Sequence, residues 1–413
     1  MNNWIYRVFK QTFWQSVVKI ITTIAGFITL GIITRSYSTP EVGSFTLALT
    51  YLAFFYMISD FGFNAHVLGR LQDKSSEIEW RKLLGVRIIW SILLSTLAIL
   101  VLPLLPFNPP SFGFSDDFKI TVIIGAVTIV FFALNLTSHA IFQAKLHYQL
   151  DIAPTVIGVV LGTLLVFIIS SQQAPVYQLV LGNTLAWGLH AVGTLYLSRK
   201  FIQNLTPLFD IAYVATLFKQ IWPLAATLII NTLYFRVDAF ILSSYQSLTD
   251  VAMYNVAYQF FQSVLTIPTF IMNSYYPLML ETMKSNYHVF LRQTKKAYLV
   301  LTVSGIAVSM VLYTLSPLVI QLVTKSGYSG AVDSLRVLSL GLPAFFISSL
   351  SLWILVAKKE YKKILAVYVL GLVFNVTLNM IYIPQYSYTA ASWVTIASEY
   401  FVLLQLVYWL KRG

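Results

Sequence analysis

The chain has no cysteine, which excludes a disulfide framework and any thiolate metal site. Charge is scarce too: charged residues fill 10% of the 413 positions, where a soluble domain carries roughly 25%. Acids are the rarer sign, 15 Asp and Glu against 27 Lys and Arg. Long polar stretches are missing, with the widest gap between apolar runs about twenty residues. No separate soluble domain fits in such gaps, so a soluble enzyme, a nucleic-acid binder and a secreted disulfide protein are excluded.

What is present is apolar. Hydrophobic residues make up 58% of the chain, and a helix of about 20 residues suffices to cross a bilayer. Twelve runs of that length are expected to span: 13–33, 43–63, 85–106, 120–142, 152–170, 176–197, 219–243, 252–278, 298–323, 333–356, 363–383 and 388–410. The N-terminal sequence MNNWIYRVFKQ lacks a cleavable signal pattern, so the first run is expected to be a retained span.

The net charge of +12 is explained by where the cations fall. With the N-terminus inside, the inner segments hold 20 Lys and Arg, the outer ones hold only Arg35, Lys119 and Lys325, and Lys19, Arg87, Arg236 and Arg336 lie within spans. This asymmetry predicts that both termini face the cytoplasm. The basic loops, KKEYKK (Lys358 to Lys363) among them, fit contact with anionic membrane lipids and imply no nucleic acid.

The two halves repeat. Phe9, Lys10 and Gln11 open the first span and Phe218, Lys219 and Gln220 the seventh, 209 residues on; EVGSF (Glu41 to Phe45) and DVAMY (Asp250 to Tyr254) keep the same offset. A third echo, AKxxY, starts at Ala144 and again at Ala357, an offset of 213. Both halves start inside and hold six spans, so the repeats are parallel, as in carriers with two lobes. The expected organisation is an N-lobe at 1–197, a cytoplasmic linker at 198–219 and a C-lobe at 220–413.

Particular segments resemble a known family. The run ITRSYSTPEVGSFTLALTYLAFFYMISDFGFN (Ile33 to Asn64) resembles the opening signature of the polysaccharide-export branch of the MOP exporters, the lipid-linked oligosaccharide flippases. The segments Tyr234 to Leu280 and YSYTAASWVTIASE (Tyr386 to Glu399) look like its seventh and eighth spans and its twelfth. Ala252 stands where the first lobe has Gly43, so the repeated turn is not identical. The resemblance implies an all-α polytopic membrane protein of twelve transmembrane helices in two six-helix lobes, a MATE-like MOP fold with a V-shaped cleft. It further implies alternating access carrying an undecaprenyl-diphosphate-linked glycan to the outer leaflet of a bacterial cytoplasmic membrane.

Ionisable residues inside spans are costly in a bilayer and by default face a bundle interior or a wet cavity. Lys19 shares a helix face with Gln15, Thr22, Gly26 and Thr29, which favours a lumen. Asp60 lies at the depth of Lys19 and Arg87, and a structural ion pair with either is the competing reading. Arg236 and Asp238 stand about 200° apart on one helix, so one should face the cleft, and the sequence does not choose. Arg35 and Arg336 lie at a depth where either could pair with Asp238. On the eighth span Asn255, Gln259, Gln262, Thr266, Thr269 and Asn273 form a continuous polar face, and Asn231 adds to the lumen from the seventh. His139, on a thinner stripe, reads as a packed histidine. Glu399 sits near the bilayer centre with no cation at its depth, poised to load a coupling proton or to bond a neighbouring helix.

Lys19, Arg35, Arg87 and Arg236 are therefore the candidate substrate-binding cations, and Glu399, Asp60 and Asp238 the candidate coupling or gating acids. Proton or sodium coupling and contact with a polysaccharide polymerase are the partners considered besides substrate and lipid. No nucleophile elbow, P-loop or HxxxxH-type metal spacing is present, so neither a metal, a cofactor nor ATP hydrolysis is expected. A glycan polymerase would need a sizeable outer loop, and the longest is Pro106 to Phe118. The nearer rival is a drug or cation antiporter of the same superfamily. An organic cation calls for acids along the path, a diphosphate for Arg and Lys, and at span depth the cations outnumber the acids.

Overall fold

The computed structural model describes residues 2–68, 70–72, 76–106 and 114–412, with side chains from Phe13 on apart from those at 65, 72, 223, 224, 273, 274, 277 and 284. Among them only helices and short turns occur. This is what a bilayer dictates, since a helix satisfies its backbone polar groups within itself. The helices are α1 (Asn2–Ser36), α2 (Thr39–Asp60), α3 (Phe63–Val67), α4 (Ser76–Leu100), α5 (Asp116–Gly125), α6 (Val127–Ala144), α7 (Ile152–Ser171) and α8 (Val180–Ser198). Then come α9 (Ile211–Tyr245), α10 (Leu248–Val264), α11 (Thr266–Ser285), α12 (Tyr287–Val323), α13 (Ser329–Ser339), α14 (Leu342–Ala357) and α15 (Tyr361–Arg412).

Among the described residues eight segments are long and apolar enough to cross a membrane, or nine if the bent pair α13 and α14 forms one span. The expectation of twelve is therefore met only in part. One reason is visible in α15: its 52 residues run through a non-helical position at Ser387 (φ 52, ψ −138). At 1.5 Å per residue such a helix would be about 78 Å long, more than twice the hydrocarbon core of about 30 Å. Others are polar: α10 and α11 are separated at Leu265, so the amide face expected to run unbroken from Asn255 to Thr269 is divided between two helices. Its last member, Asn273, lies outside the described side chains.

The chain divides into two compact units, one up to Thr232 and one from Leu233, with the boundary inside α9. In the first unit α7 and α8 approach closely because glycines line their seam. A Cβ at Gly162 would come 2.5 Å from the Gly182 carbonyl oxygen, and one at Gly158 2.5 Å from that of Ala186. Small residues of this kind let membrane helices pack backbone to backbone. A second cluster joins Phe63, Trp80, Phe142, Leu217 and Ile221, and the Trp80 indole donates to the Thr137 carbonyl at 3.0 Å.

The segment after α8 is fastened to α4. Glu77 accepts the backbone N–H groups of Gln203 and Asn204 at 3.1 and 3.3 Å, and Arg81 donates to the carbonyl and hydroxyl of Thr206 at 2.8 and 2.7 Å. Lys82 pairs with Asp210 at 2.9 Å, and Leu208 lies so close that a Cβ on Gly85 would meet its carbonyl oxygen at 2.3 Å. Residues 211–219, part of the expected linker, already belong to α9.

In the second unit α10 is buried along almost its whole length, from Val251 to Tyr258 without a break. Its start is fixed by a cap: the Ser247 hydroxyl accepts the Asp250 N–H at 3.2 Å and donates to the Asp250 carboxylate at 2.7 Å. The start of α2 uses a related device, Ser38 donating from its backbone and hydroxyl to Glu41 at 2.8 and 2.6 Å.

Candidate functional site

Two polar constellations lie inside the first unit. Arg87 on α4 is fully buried and donates to Asp60 at 3.2 Å, to the Asn64 side-chain oxygen at 2.9 Å and to the Ala133 carbonyl at 3.4 Å. Asp60 closes α2, and Phe61 (φ 47) and Gly62 (φ 79) turn the chain so that Asn64 reaches the same guanidinium. A buried guanidinium needs such a set of acceptors, because an unpaired charge in a low-dielectric interior is very costly. Arg87 and Asp60, expected as a cleft cation and a gating acid, are thus partners of each other. Arg87 offers no exposed surface to a substrate in this conformation.

The second constellation joins three elements. The ring Nε2 atoms of His139 (α6) and His190 (α8) both lie on one carboxylate oxygen of Asp151, at 2.8 and 2.7 Å. Asp151 belongs to the single turn Tyr148–Asp151 just before α7, and the Thr155 hydroxyl stands 3.1 Å from the same His190 nitrogen. From sequence His139 reads as a packed histidine, and no local pattern marks His190 or Asp151.

In the second unit Asp238 and Glu399 are buried without an ion-pair partner among the described residues. Asp238 is 2% exposed; it accepts from the Ala239 N–H at 2.7 Å, from the Thr395 hydroxyl at 3.1 Å and from the Tyr254 hydroxyl. Glu399, 3% exposed, accepts from the Tyr234 hydroxyl at 3.0 Å. Of the two residues left open along α9, Asp238 is the one buried inside the unit. Arg236 is half-buried, donates to Gln262 at 2.6 Å and stacks its guanidinium 5.1 Å from the Tyr258 ring centroid. Arg336 lies over the Tyr313 ring instead of pairing with Asp238.

The remaining candidates are not gathered into these constellations. Lys19 is exposed on α1 and forms no ion pair with Asp60. Arg35 is exposed in the last turn of α1. Asn255 is buried, Asn231 and Gln259 are half-buried, and Thr266 donates to the Ser263 carbonyl at 2.6 Å where α11 begins. Tyr254, Thr395 and Tyr234, which hold the two acids, were not picked out from sequence. A Tyr sixteen residues from Asp238 carries no local signal of contact.

Comparison with known proteins places the chain. A family model described as "Polysaccharide biosynthesis protein" matches residues 8–283, and a MatE model matches residues 223–381. No curated protein matches in sequence. A structure titled lipid II flippase MurJ, in an inward closed conformation, is 15% identical with a TM-score of 0.76, covering 96% of this chain and 87% of that one. An inward-facing multidrug resistance MATE transporter of the MOP superfamily is 10% identical with a TM-score of 0.79, over 97% and 98% of the two chains. A MOP superfamily transporter from Pyrococcus furiosus, whose title describes a binding pocket of reverse polarity, is 13% identical with a TM-score of 0.69, over 98% and 94%. At such identities the likeness shows the fold, and the fold is that of MOP-superfamily carriers. The family match spans two thirds of the residues. The chain belongs to the polysaccharide biosynthesis protein family and is a polytopic membrane transporter of the MOP superfamily.

Proposed function

We propose that this transporter is an alternating-access flippase for a polyprenyl-diphosphate-linked oligosaccharide. The observation that carries the reading is the polysaccharide-biosynthesis match over residues 8–283. Geometry supports it where charge is concerned. Lys19 is exposed, and Arg236 is held by an amide and an aromatic face with no carboxylate in ion-pair contact among the described residues. Such cations can form charge-assisted bonds to phosphate oxygens. Arg35 is the third cation of the set. In this reading Asn231, Asn255, Gln259, Gln262 and Thr266 solvate sugar hydroxyls while the polyprenyl tail stays in lipid. Asp238 and Glu399 load a proton or sodium ion and so bias the two states. The distribution of Lys and Arg supports twelve crossings with cytoplasmic termini in this reading, and the family resemblance implies a bacterial cytoplasmic membrane.

A multidrug or cation antiporter is the second reading, and the comparisons back it more widely. Several of the similar solved structures are titled MATE transporters, among them one from Vibrio cholerae at 14% identity and a TM-score of 0.65. The buried carboxylates of Asp238 and Glu399 suit a carrier of cations. We place it second because likeness at this level fixes the fold and not the cargo.

One paired experiment separates the two. The flippase reading expects the chain to restore surface polysaccharide in a strain lacking its lipid-linked oligosaccharide flippase, and Lys19→Ala and Arg236→Ala to impair that rescue at normal membrane levels. Failure to rescue, together with resistance to cationic drugs on expression, selects the antiporter. The topology is checked by cysteine labelling, which the absence of native cysteine keeps clean. Ser285→Cys is expected to be shielded in intact cells and Gln173→Cys to label from outside.

A further inference from the structure

The geometry points to a divalent transition-metal site at His139, Asp151 and His190 in the first unit, with zinc as the best-fitting class. It is separate from the cations and acids of the proposed transport path. Three observations carry it.

The first is convergence. The chain has five histidines, and two of them, on different helices, direct Nε2 at a single carboxylate oxygen from 2.8 and 2.7 Å. The ligand atoms of the three residues all lie within 4.8 Å of one another. Zinc takes His nitrogen at about 2.0–2.1 Å and carboxylate oxygen at about 2.0–2.2 Å in a tetrahedron. Ligand atoms around it are then about 3.3 Å apart. The two His–Asp distances need to open by about half an ångström to reach that spacing, and the two imidazoles settle to it from within 4.8 Å of each other.

The second is the donor set. Two imidazoles and one carboxylate form a nitrogen and oxygen site that suits zinc, and also copper, iron or nickel, better than calcium or magnesium. The Thr155 hydroxyl, 3.1 Å from His190 Nε2, or a water can complete four-coordination.

The third is preorganisation with access. Asp151 is 2% exposed and the His190 ring is stacked against Trp187, centroids 5.9 Å apart at 24°, so both ligands are held by packing. The His139 side chain is 22% exposed and gives the ion a way in. The competing account is a hydrogen-bonded triad, in which each imidazole donates an Nε2 proton to Asp151.

Bound metal would tie α6, α8 and the turn before α7 at one point, a brace on the first unit. The experiment uses the untagged full chain, purified in detergent and stripped with a chelator, titrated with Zn²⁺ by calorimetry and checked by elemental analysis. The expected result is one Zn²⁺ per chain and a raised unfolding temperature. His190→Gln and His139→Gln should each weaken binding by roughly 10- to 100-fold or more, the scale on which even outer partners of metal ligands matter. Asp151→Asn keeps a hydrogen-bonding group of the same shape and should weaken binding likewise. If any variant fails to fold, His139→Gln, at the most exposed of the three, serves alone. Absence of stoichiometric Zn²⁺ uptake, or uptake that His139→Gln leaves unchanged, overturns the site in favour of the hydrogen-bonded triad.

Discussion

The two units share a scaffold and differ in what they bury. Tyr37 donates its hydroxyl to the Ala174 carbonyl at 2.7 Å, and Gln246 donates its amide to the Ile383 carbonyl at 2.9 Å. Donor and acceptor each recur 209 residues on (246 minus 37, 383 minus 174). The Ser38–Glu41 and Ser247–Asp250 caps keep the same spacing. The AKxxY echo has a structural counterpart: after α6 Leu146 takes φ 56 and after α14 Lys359 takes φ 60, so each helix is stopped by a left-handed residue. The interiors diverge. The first unit sets a buried charge against its opposite, Arg87 with Asp60; the second holds Asp238 and Glu399 with hydroxyls. A paired charge is fixed in place. A carboxylate held by neutral donors can exchange a proton or cation without leaving a stranded partner, which is what a coupling site needs.

The sharpest test of this difference is to neutralise the two buried acids of the second unit. Asp238→Asn and Glu399→Gln keep side-chain shape, and if these acids couple the two states, transport should fall by roughly 5- to 150-fold, the range of coupling free energies of about 1–3 kcal/mol. Uptake into vesicles with and without a pH gradient reads it out. Should Glu399→Gln transport at the normal rate with the same gradient dependence, its bond to Tyr234 is structural and Asp238 remains the candidate.

A second contrast lies in the helix seams. Gly162 and its counterpart Gly371, again 209 residues apart, both lack room for a side chain, but for different reasons. At Gly162 the obstacle is backbone, the Gly182 carbonyl oxygen 2.5 Å from a Cβ; at Gly371 it is the end of a side chain, Val402 Cγ2 at 2.8 Å. Gly162→Ala should therefore cost about 1–3 kcal/mol, as overpacking does. Gly371→Ala should cost under about 1 kcal/mol, because Val402 can turn aside. Thermal unfolding of both in one detergent checks the ranking, and equal losses would sink it.

Asp60→Asn comes next in size. It leaves Arg87 fully buried with Asn64 and Ala133 but no counter-charge. Breaking a fully buried pair costs about 3–5 kcal/mol. The Asp60 side chain is 36% exposed, so solvent already screens the pair, and about 1–2 kcal/mol is expected. A loss of transport with no loss of stability would return Asp60 to a gating role.

These differences were unevenly legible in the sequence. Span positions follow from apolar run length, and the repeat from matched short motifs, because both are local patterns. The pairing of Asp60 with Arg87 was one of two options at equal depth, and only packing could exclude Lys19. Asp238 and Arg236 present opposite helix faces, and nothing along α9 says which of them is buried. The amide stripe read as one face because periodicity does not register the break at Leu265. The histidine cluster was invisible for a plainer reason: Asp151 and His190 are 39 residues apart, on elements that meet only in the folded unit.

The smallest effect is expected where the first unit fastens the segment after α8. The hydrogen bond from Lys82, then that from the Tyr213 backbone, holds the Asp210 carboxyl below its ordinary value. A carboxyl shifted down in the docked state contributes to docking above the ordinary aspartate pKa of about 3.9, and that contribution is lost as pH falls through the lower docked value. Docking should thus be level from about pH 5 to 8 and loosen only in stronger acid. Asp210 is exposed, so the effect belongs to a surface ion pair, screened by salt. Asp210→Asn should raise protease cleavage within residues 199–210 slightly at neutral pH and shrink the acid step. The segment should stay docked at neutral pH, because Glu77 still binds the backbone of Gln203 and Asn204. Cleavage that rises equally with acid in both proteins would show that the Lys82 pair is incidental to docking.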